Sequence, residues 1–332
     1  MKLLHLTTQG VAGLPDRTYE FADPSTGAPF DIVLVTGLPA SGKTRLLETV
    51  LAAKEDVGPY AVRPRAASLV REGAASATIQ AAWLLSPAER ARAELRTAAI
   101  VTTSVFGDEP TSHPEALSAI FRDYARSVGR WKVEYFHAGR HLPAGAGVAP
   151  VSDAAEARLR VGKSGEKYRG VRAYLVEALL GDAMSLATRA RNEGLVMRAG
   201  GIDALGELRE LFRPFLQDKV LDGIEPARDG YRVRFRDRGG SVVDLDALSS
   251  AEQQGVLFAV TSRRLGLEHA LVLIDAPELH VHPSRQLDFF RRLTALGRDN
   301  QIIAATTSSE ILAQAPRAQI LDLGSVRGGP LG

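Results

Sequence analysis

The chain has 332 residues, 45% of them hydrophobic, enough for a large core, either as one α/β domain or as a core with an inserted lobe. Lysine and arginine number 41 against 39 aspartates and glutamates, and the net charge of +2 argues neither for nor against nucleic acid. There is no cysteine, which excludes disulfide frameworks and thiolate chemistry.

The opening segment, MKLLHLTTQG, has one lysine and lacks the apolar core of a signal peptide. No uninterrupted apolar stretch has the length needed to span a bilayer, so a cytoplasmic protein without a membrane partner is expected. Residues 31–36, DIVLVT, predict a buried strand. Residues 43–54, KTRLLETVLAAK, predict a helix, with Leu46, Leu47, Val50 and Leu51 at helical spacing. Between them, Gly37 to Thr44 reads G-L-P-A-S-G-K-T and fits G-x-x-x-x-G-K-[ST] at every fixed position. Strand, glycine loop and helix are the parts a phosphate cradle needs. Glycines let backbone N–H groups curl around phosphates, and the helix N-terminus adds a favourable dipole. On this pattern ATP lies on Gly37, Ala40, Ser41 and Gly42, Lys43 reaches the β- and γ-phosphates, and the Thr44 hydroxyl binds Mg²⁺.

Residues 76–85 and 97–106 predict strands flanking a helical PAERARAEL, and Pro114 begins a helix expected to run through Val128. A strand in VEYFHAGRHL, Val133 to Leu142, is followed by His137, Arg140 and His141, which are either phosphate contacts or an ordinary loop. PAGAGVAPVSD, 143–153, reads as a flexible boundary. Helices are expected over 171–192 and 203–216, the second capped by Asp203, within a helical insert of about 150–228. YRVRFR, 231–236, alternates and pairs with SVVDLD beyond a Gly-Gly turn. Two basic clusters could follow DNA: Arg158, Arg160, Lys163, Lys167, Arg169 and Arg172, and the strand face of Arg232, Arg234 and Arg236. A solvated face or a protein contact is the commoner use of such clusters. Residues 270–275, ALVLID, read as a central parallel strand delivering Asp275 to the metal. His280 and His282 could hold zinc, though a loop is the commoner use of His-x-His.

L-S-S-A-E-Q-Q, 248–254, followed by an apolar helix, resembles the signature motif of ABC-type ATPases. The order of loop, signature and Asp-bearing strand matches as well. Pro277-Glu278-Leu279-His280-Val281-His282-Pro283 resembles a segment of the RecF-like, SMC-related and OLD-like group of AAA family ATPases. QIIAATTSSEIL, 301–312, resembles that group's next strand and switch loop, and residues 1–21 its opening hairpin. The resemblance covers roughly 1–50 and 230–325. It implies an α/β P-loop fold, a single ABC-type head over 1–332 with a parallel core sheet (1–142 and 230–325), an antiparallel side sheet and a helical insert. It also implies ATP held between two heads, as a homodimer or with a related head, with Ser249, Ser250 and Ala251 facing the partner's γ-phosphate. A separate effector protein and a setting in bacterial antiphage defence or DNA maintenance follow from the same resemblance. No sustained heptads occur, so the long coiled-coil arms of SMC proteins are not expected.

Three positions depart from the group's pattern. Ala276 stands where a water-polarising Glu is usual, Thr307 at the switch His, and Ala251 at a signature Gly. Losing a general base costs roughly 10²- to 10⁴-fold in rate, so hydrolysis is expected to be weak. Glu278 and Glu252 are candidate substitutes, although structural roles suit both. If Ala251 needed a positive φ, it would cost on the order of 1 kcal/mol. Two readings of Ala276 stay open at this level. One is an ATP-gated clamp that seldom turns over, and the other is a substitution that traps an ATP-bound dimer. A non-hydrolysing scaffold for a separate effector chain is the alternative function.

Overall fold

The computed structural model describes residues 1–60, 63–107, 111–123, 132–145, 159–160, 162–193, 203–228 and 230–324. In chain order the strands and α-helices are β1 (Lys2–Gln9), β2 (Arg17–Glu20), β3 (Ile32–Thr36), α1 (Lys43–Val57), β4 (Ala77–Leu84), α2 (Pro87–Arg92), β5 (Ala99–Phe106), α3 (Glu115–Phe121) and β6 (Val133–Phe136). There follow α4 (Arg169–Glu193), α5 (Ala204–Phe212), β7 (Lys219–Ala227), β8 (Gly230–Asp237), β9 (Val242–Asp244) and α6 (Ser250–Leu265). The chain ends with β10 (Leu271–Asp275), α7 (Pro283–Thr294), β11 (Gln301–Ala305), α8 (Ser309–Leu312) and β12 (Ile320–Asp322). They form two compact units. One comprises Met1–Ala138, Asp153–Lys163 and Leu265–Gly332, and the other Gly139–Ser152 and Ser164–Arg264.

The first unit is built on a parallel sheet of order β12-β3-β11-β10-β6. Every residue of β6, β10 and β11 is buried, which is why LVLID and QIIAA read as unbroken apolar runs instead of alternating ones. An antiparallel sheet of order β2-β1-β4-β5 lies in the same unit. Gln301, at the start of β11, accepts from Leu3 N–H at 2.6 Å and donates to Leu3 O at 2.9 Å, pinning β1 to the parallel sheet. Helix α1 packs against β10 and β11 of one sheet and β4 and β5 of the other. Its second half is therefore buried throughout, polar residues included. There Lys54 pairs with Glu55 at 2.6 Å beneath the Tyr60 ring, and burial, outweighing Glu55, pushes its ammonium down to about 8.

In the second unit β7, β8 and β9 form an antiparallel sheet accompanied by α4, α5 and α6. Val233 and Phe235 point into its core, and Arg232, Arg234 and Arg236 take the other face. Strand β7 is not apparent from sequence. Its LDGIEP stretch breaks at a bulge between Leu221 and Gly223, where Gly223 has φ 143°, and Pro226 is accepted because β7 is an edge strand. Asp203 caps α5, its carboxylate accepting from Gly206 N–H at 2.8 Å.

Two expected helices end early, and the one expected over 203–216 stops at Phe212, two residues before Pro214. The helix starting near Pro114 ends at Phe121, with Arg122 as its C-cap, not at Val128. Beyond it, the Asp123 carbonyl accepts from Tyr60 Oη at 3.1 Å and its carboxylate holds Arg92 at 2.6 Å, contacts that fix the chain after the last turn. Residues 124–131 lie outside the described residues, as do Arg158 and most of the expected 143–153 boundary.

Candidate functional site

The loop after β3 is shaped by residues with left-handed backbone. Gly37 has φ 144°, Ala40 62° and Gly42 95°. A Cβ on Gly42 would lie 2.7 Å from Gly13 O and 2.9 Å from Leu14 Cδ2, so the β1–β2 hairpin presses on the loop at a point only glycine fits. A Cβ on Gly37 would meet Ser41 Oγ at 2.5 Å. Lys43 Nζ donates to Gly37 O at 2.8 Å and Leu38 O at 2.9 Å, folding back over the loop. Ser41 Oγ is buried without a hydrogen-bond partner among the described residues. A tight glycine loop opening a 15-residue helix, with a lysine over it and an orphaned hydroxyl inside it, fits a bound phosphate chain.

Asp275 ends β10, and its Oδ2 accepts from Thr44 Oγ1 at 2.9 Å. These are the two residues the sequence nominates for Mg²⁺, 231 positions apart. A hydroxyl and a carboxylate that close would suit a hard divalent cation held beside bound phosphates.

Beyond Asp275 the chain turns sharply, with Ala276 at φ 51° and His280 at φ 67°. Ala276 N–H donates to Ala305 O at 2.8 Å. Glu278 sits in this turn and is engaged at both oxygens. Oε2 accepts from Thr306 Oγ1 at 2.8 Å, and Oε1 accepts from Thr307 N–H at 2.9 Å and Thr307 Oγ1 at 3.2 Å. His282 is the N-cap of α7, its Nδ1 accepting from Ser284 N–H at 3.3 Å. No group of three or more metal-ligating side chains occurs among the described residues.

In the second unit Ser249 and Glu252 form a capping box at the start of α6. Ser249 N–H donates to Glu252 Oε2 at 2.9 Å and Glu252 N–H to Ser249 Oγ at 3.4 Å. Lys219 Nζ holds the same carboxylate at 2.8 and 3.0 Å. Burial pulls the Glu252 pKa upward, but Lys219 and the Ser249 donors outweigh it and hold the carboxyl below its ordinary value. Ser250 and Ala251 occupy the first turn of α6, and Ala251 is not among the residues with positive φ. The strain considered for Ala251 is therefore absent in this chain.

The basic clusters are largely engaged. Arg160 is buried on Glu134 at 3.2 Å, Lys163 pairs with Glu48, and buried Lys167 lies over the Tyr168 ring. Arg169 pairs with Glu166, and Arg172 pairs with Asp246. Arg234 reaches Glu225 at 3.2 Å, and Arg236 grips Asp222 at 3.0 and 2.8 Å. Within the first cluster Arg160, Lys167 and Arg172 are buried, whereas Lys163 and Arg169 are exposed at their ion pairs. Arg140, considered as a phosphate contact, is buried instead. Its Nε donates to Gln254 Oε1 at 2.6 Å, Gln254 returns a bond to Arg140 O at 3.2 Å, and the guanidinium covers Phe258. His137 is buried against Tyr135, and His141 is exposed beside Gly139 O. Sequence reading missed the Thr306 and Thr307 clamp on Glu278. Its signal, paired hydroxyls directly after a buried strand, is common.

A family model described as "AAA domain, putative AbiEii toxin, Type IV TA system" matches residues 104–313. The chain belongs to this AAA family. Among solved structures, this AAA protein is similar to the SMC head bound to the C-winged helix domain of ScpA. That alignment covers 96% of each chain at 14% identity, with a TM-score of 0.54. The SMC head domain from Thermotoga maritima aligns over 94% of this chain and 92% of its own at 13% identity, with a TM-score of 0.42. No curated protein matches. The fold of the AAA protein is that of an SMC-type head, a P-loop architecture with parallel and antiparallel sheets. No described helix is long and apolar enough to cross a membrane.

Proposed function

We propose that this AAA protein binds ATP with Mg²⁺ at Gly37–Thr44 and Asp275, and that ATP-dependent head-to-head dimerisation controls a separate effector protein. The observation that carries the reading is the 2.9 Å contact of Thr44 Oγ1 with Asp275 Oδ2 beneath an intact glycine loop. Gly37, Ala40, Ser41 and Gly42 form the cradle, and Lys43 supplies charge to the phosphates. When bound, Mg²⁺ would supply positive charge that offsets the charge of the phosphates. Ser249, Ser250 and Ala251, at the N-terminus of α6, face the nucleotide of a second head, where the helix dipole favours an anion. The partner is a second copy or a related head. The family's description, which names a putative toxin, supports a setting in bacterial antiphage defence, with DNA maintenance as the other setting. The SMC head solved with a piece of ScpA supports the existence of a protein partner.

Hydrolysis is weak on this reading, because Ala276 offers no carboxylate and both substitute candidates are occupied. Glu278 is held by two threonines and Glu252 by Ser249 and Lys219. The same observation favours a second reading, a scaffold that holds ATP without turning it over. Titration calorimetry with ATP and Mg²⁺, paired with analytical ultracentrifugation, tests the proposal. Binding and dimerisation that are both lost in Lys43→Ala support it. Absence of ATP binding by the intact protein sinks it. Phosphate release then separates the two readings.

A further inference from the structure

The edge of a β-sheet presents a row of unpaired main-chain N–H and C=O groups, and folded chains blunt it with short strands, charge, proline or bulges. Among the described residues, all sheet edges but one carry such a device. Strands β2 and β6 have four residues each, β9 and β12 three, and β6 is buried throughout. Strand β7 carries Pro226 and a bulge between Leu221 and Gly223. Strand β5, at the edge of the antiparallel sheet of the first unit, has none. Its eight residues, AIVTTSVF, include no charge and no proline, and they pair with β4 from end to end without a register shift. Val101, in the middle of this strand, is 64% exposed.

Val105 identifies the outward side of the strand. Its N–H donates to Thr111 Oγ1 at 2.7 Å and its carbonyl accepts from Arg63 Nη2 at 3.4 Å, so both groups turn away from β4. Outward groups recur at every second residue of an antiparallel strand. The main-chain groups of Ala99, Val101 and Thr103 therefore face the same way, and among the described residues they meet no partner there. Thr111 and Arg63 close the edge at Val105, which leaves a free stretch from Ala99 to Thr103 centred on Val101. That stretch is its own complement. Run antiparallel against itself, it sets Val101 opposite Val101 and Ala99 opposite Thr103, with no like charges opposed.

We infer that β5 joins two copies of this chain edge to edge, antiparallel about a two-fold axis at Val101, an isologous contact that needs no nucleotide. Sedimentation of the full chain without nucleotide tests it. The contact uses no residue of the glycine loop, so Lys43→Ala is expected to self-associate as the unaltered chain does, whereas ATP-dependent pairing of heads is lost in that variant. Val101→Lys sets two ammonium groups against each other, and Val101→Pro removes an N–H that faces away from β4. Each is expected to weaken self-association at least about tenfold while thermal melting and ATP affinity hold, because Val101 is exposed. The chain has no cysteine, so Val101→Cys carries a single thiol. Across the axis its Cα lies about 5.5 Å from that of the second copy, within reach of a disulfide on mild oxidation. Thr103→Cys, opposite Ala99, is expected to stay uncrosslinked. A nucleotide-free chain that remains monomeric up to about 100 μM overturns the proposal and leaves the edge to a strand of another protein. Val101→Lys associating like the unaltered chain also overturns it, as does Thr103→Cys crosslinking as fully as Val101→Cys.

Discussion

Thr44 Oγ1 donates to Asp275 Oδ2 across 2.9 Å, joining the first turn of α1 to the last residue of β10. If both oxygens coordinate one Mg²⁺, removing either removes the same benefit. Asp275→Asn and Thr44→Val are each expected to abolish most of the gain in ATP affinity that Mg²⁺ confers, and the double variant to add little. Titrations with Mg²⁺ and with chelator measure this. Additive losses would show that the two residues act separately.

Glu252 ties together the N-terminus of α6 and Lys219 of β7. Glu252→Ala removes a capping box and leaves Lys219 without this partner. A loss of about 1–3 kcal/mol in unfolding free energy is expected, read from the urea midpoint. A change below a few tenths would mean that the cap is already supplied by Ser249 alone.

Glu89 is buried between the Met1 ammonium at 3.1 Å and Lys132 Nζ at 2.7 Å. Burial opposes its ionisation, but the two cations outweigh burial and hold the carboxyl at about 2, below its ordinary 4.5. A folded-state value below the unfolded one means the stabilisation is complete above about pH 4.5 and is lost as pH falls toward 2. The contribution is on the order of 3 kcal/mol. Unfolding free energy measured from pH 6 down to pH 2.5 should fall, and Glu89→Gln should flatten that slope while lowering stability at pH 6.

Ala276 holds φ 51°. Glu at this position meets about the same backbone penalty, so Ala276→Glu should fold and raise ATP turnover at least tenfold if a base is all that is missing. Ala276→Gly should leave turnover low and stabilise the fold by up to about 1 kcal/mol, because glycine accepts positive φ. Steady-state phosphate release and thermal melting read the two effects separately. Turnover unchanged by Glu would place the deficit at Thr307 or at a missing partner.

Much of the first unit was legible because its signals are local. DIVLVT, the glycine loop and KTRLLETVLAAK declare strand, turn and helix within 25 residues, and ALVLID declares a buried parallel strand. The signature stretch likewise reads as a helix start, and Ser249 and Glu252 form the capping box three residues apart. Strand β7 was not legible, since Asp222, Gly223 and Pro226 weaken the pattern and only its pairing with β8 holds it. The partners of the basic residues between 160 and 172 were not legible, because charge in a sequence carries no burial and no pairing. Arg160 finds Glu134, and Lys163 finds Glu48, more than a hundred residues away.

By itself, the sequence determined the chemistry on offer: a glycine loop with Lys43 and Thr44, a carboxylate at 275, and no carboxylate at 276. Periodicity and motif spacing carry that information, because helix, strand and tight turn each impose their own short-range rule. Only the tertiary structure decided which groups are already spent. Glu278 on Thr306 and Thr307, Glu252 on Lys219, and Arg140 on Gln254 are contacts between segments 28 to 114 residues apart. Such pairings depend on how sheets and helices stack, and no local spacing encodes them.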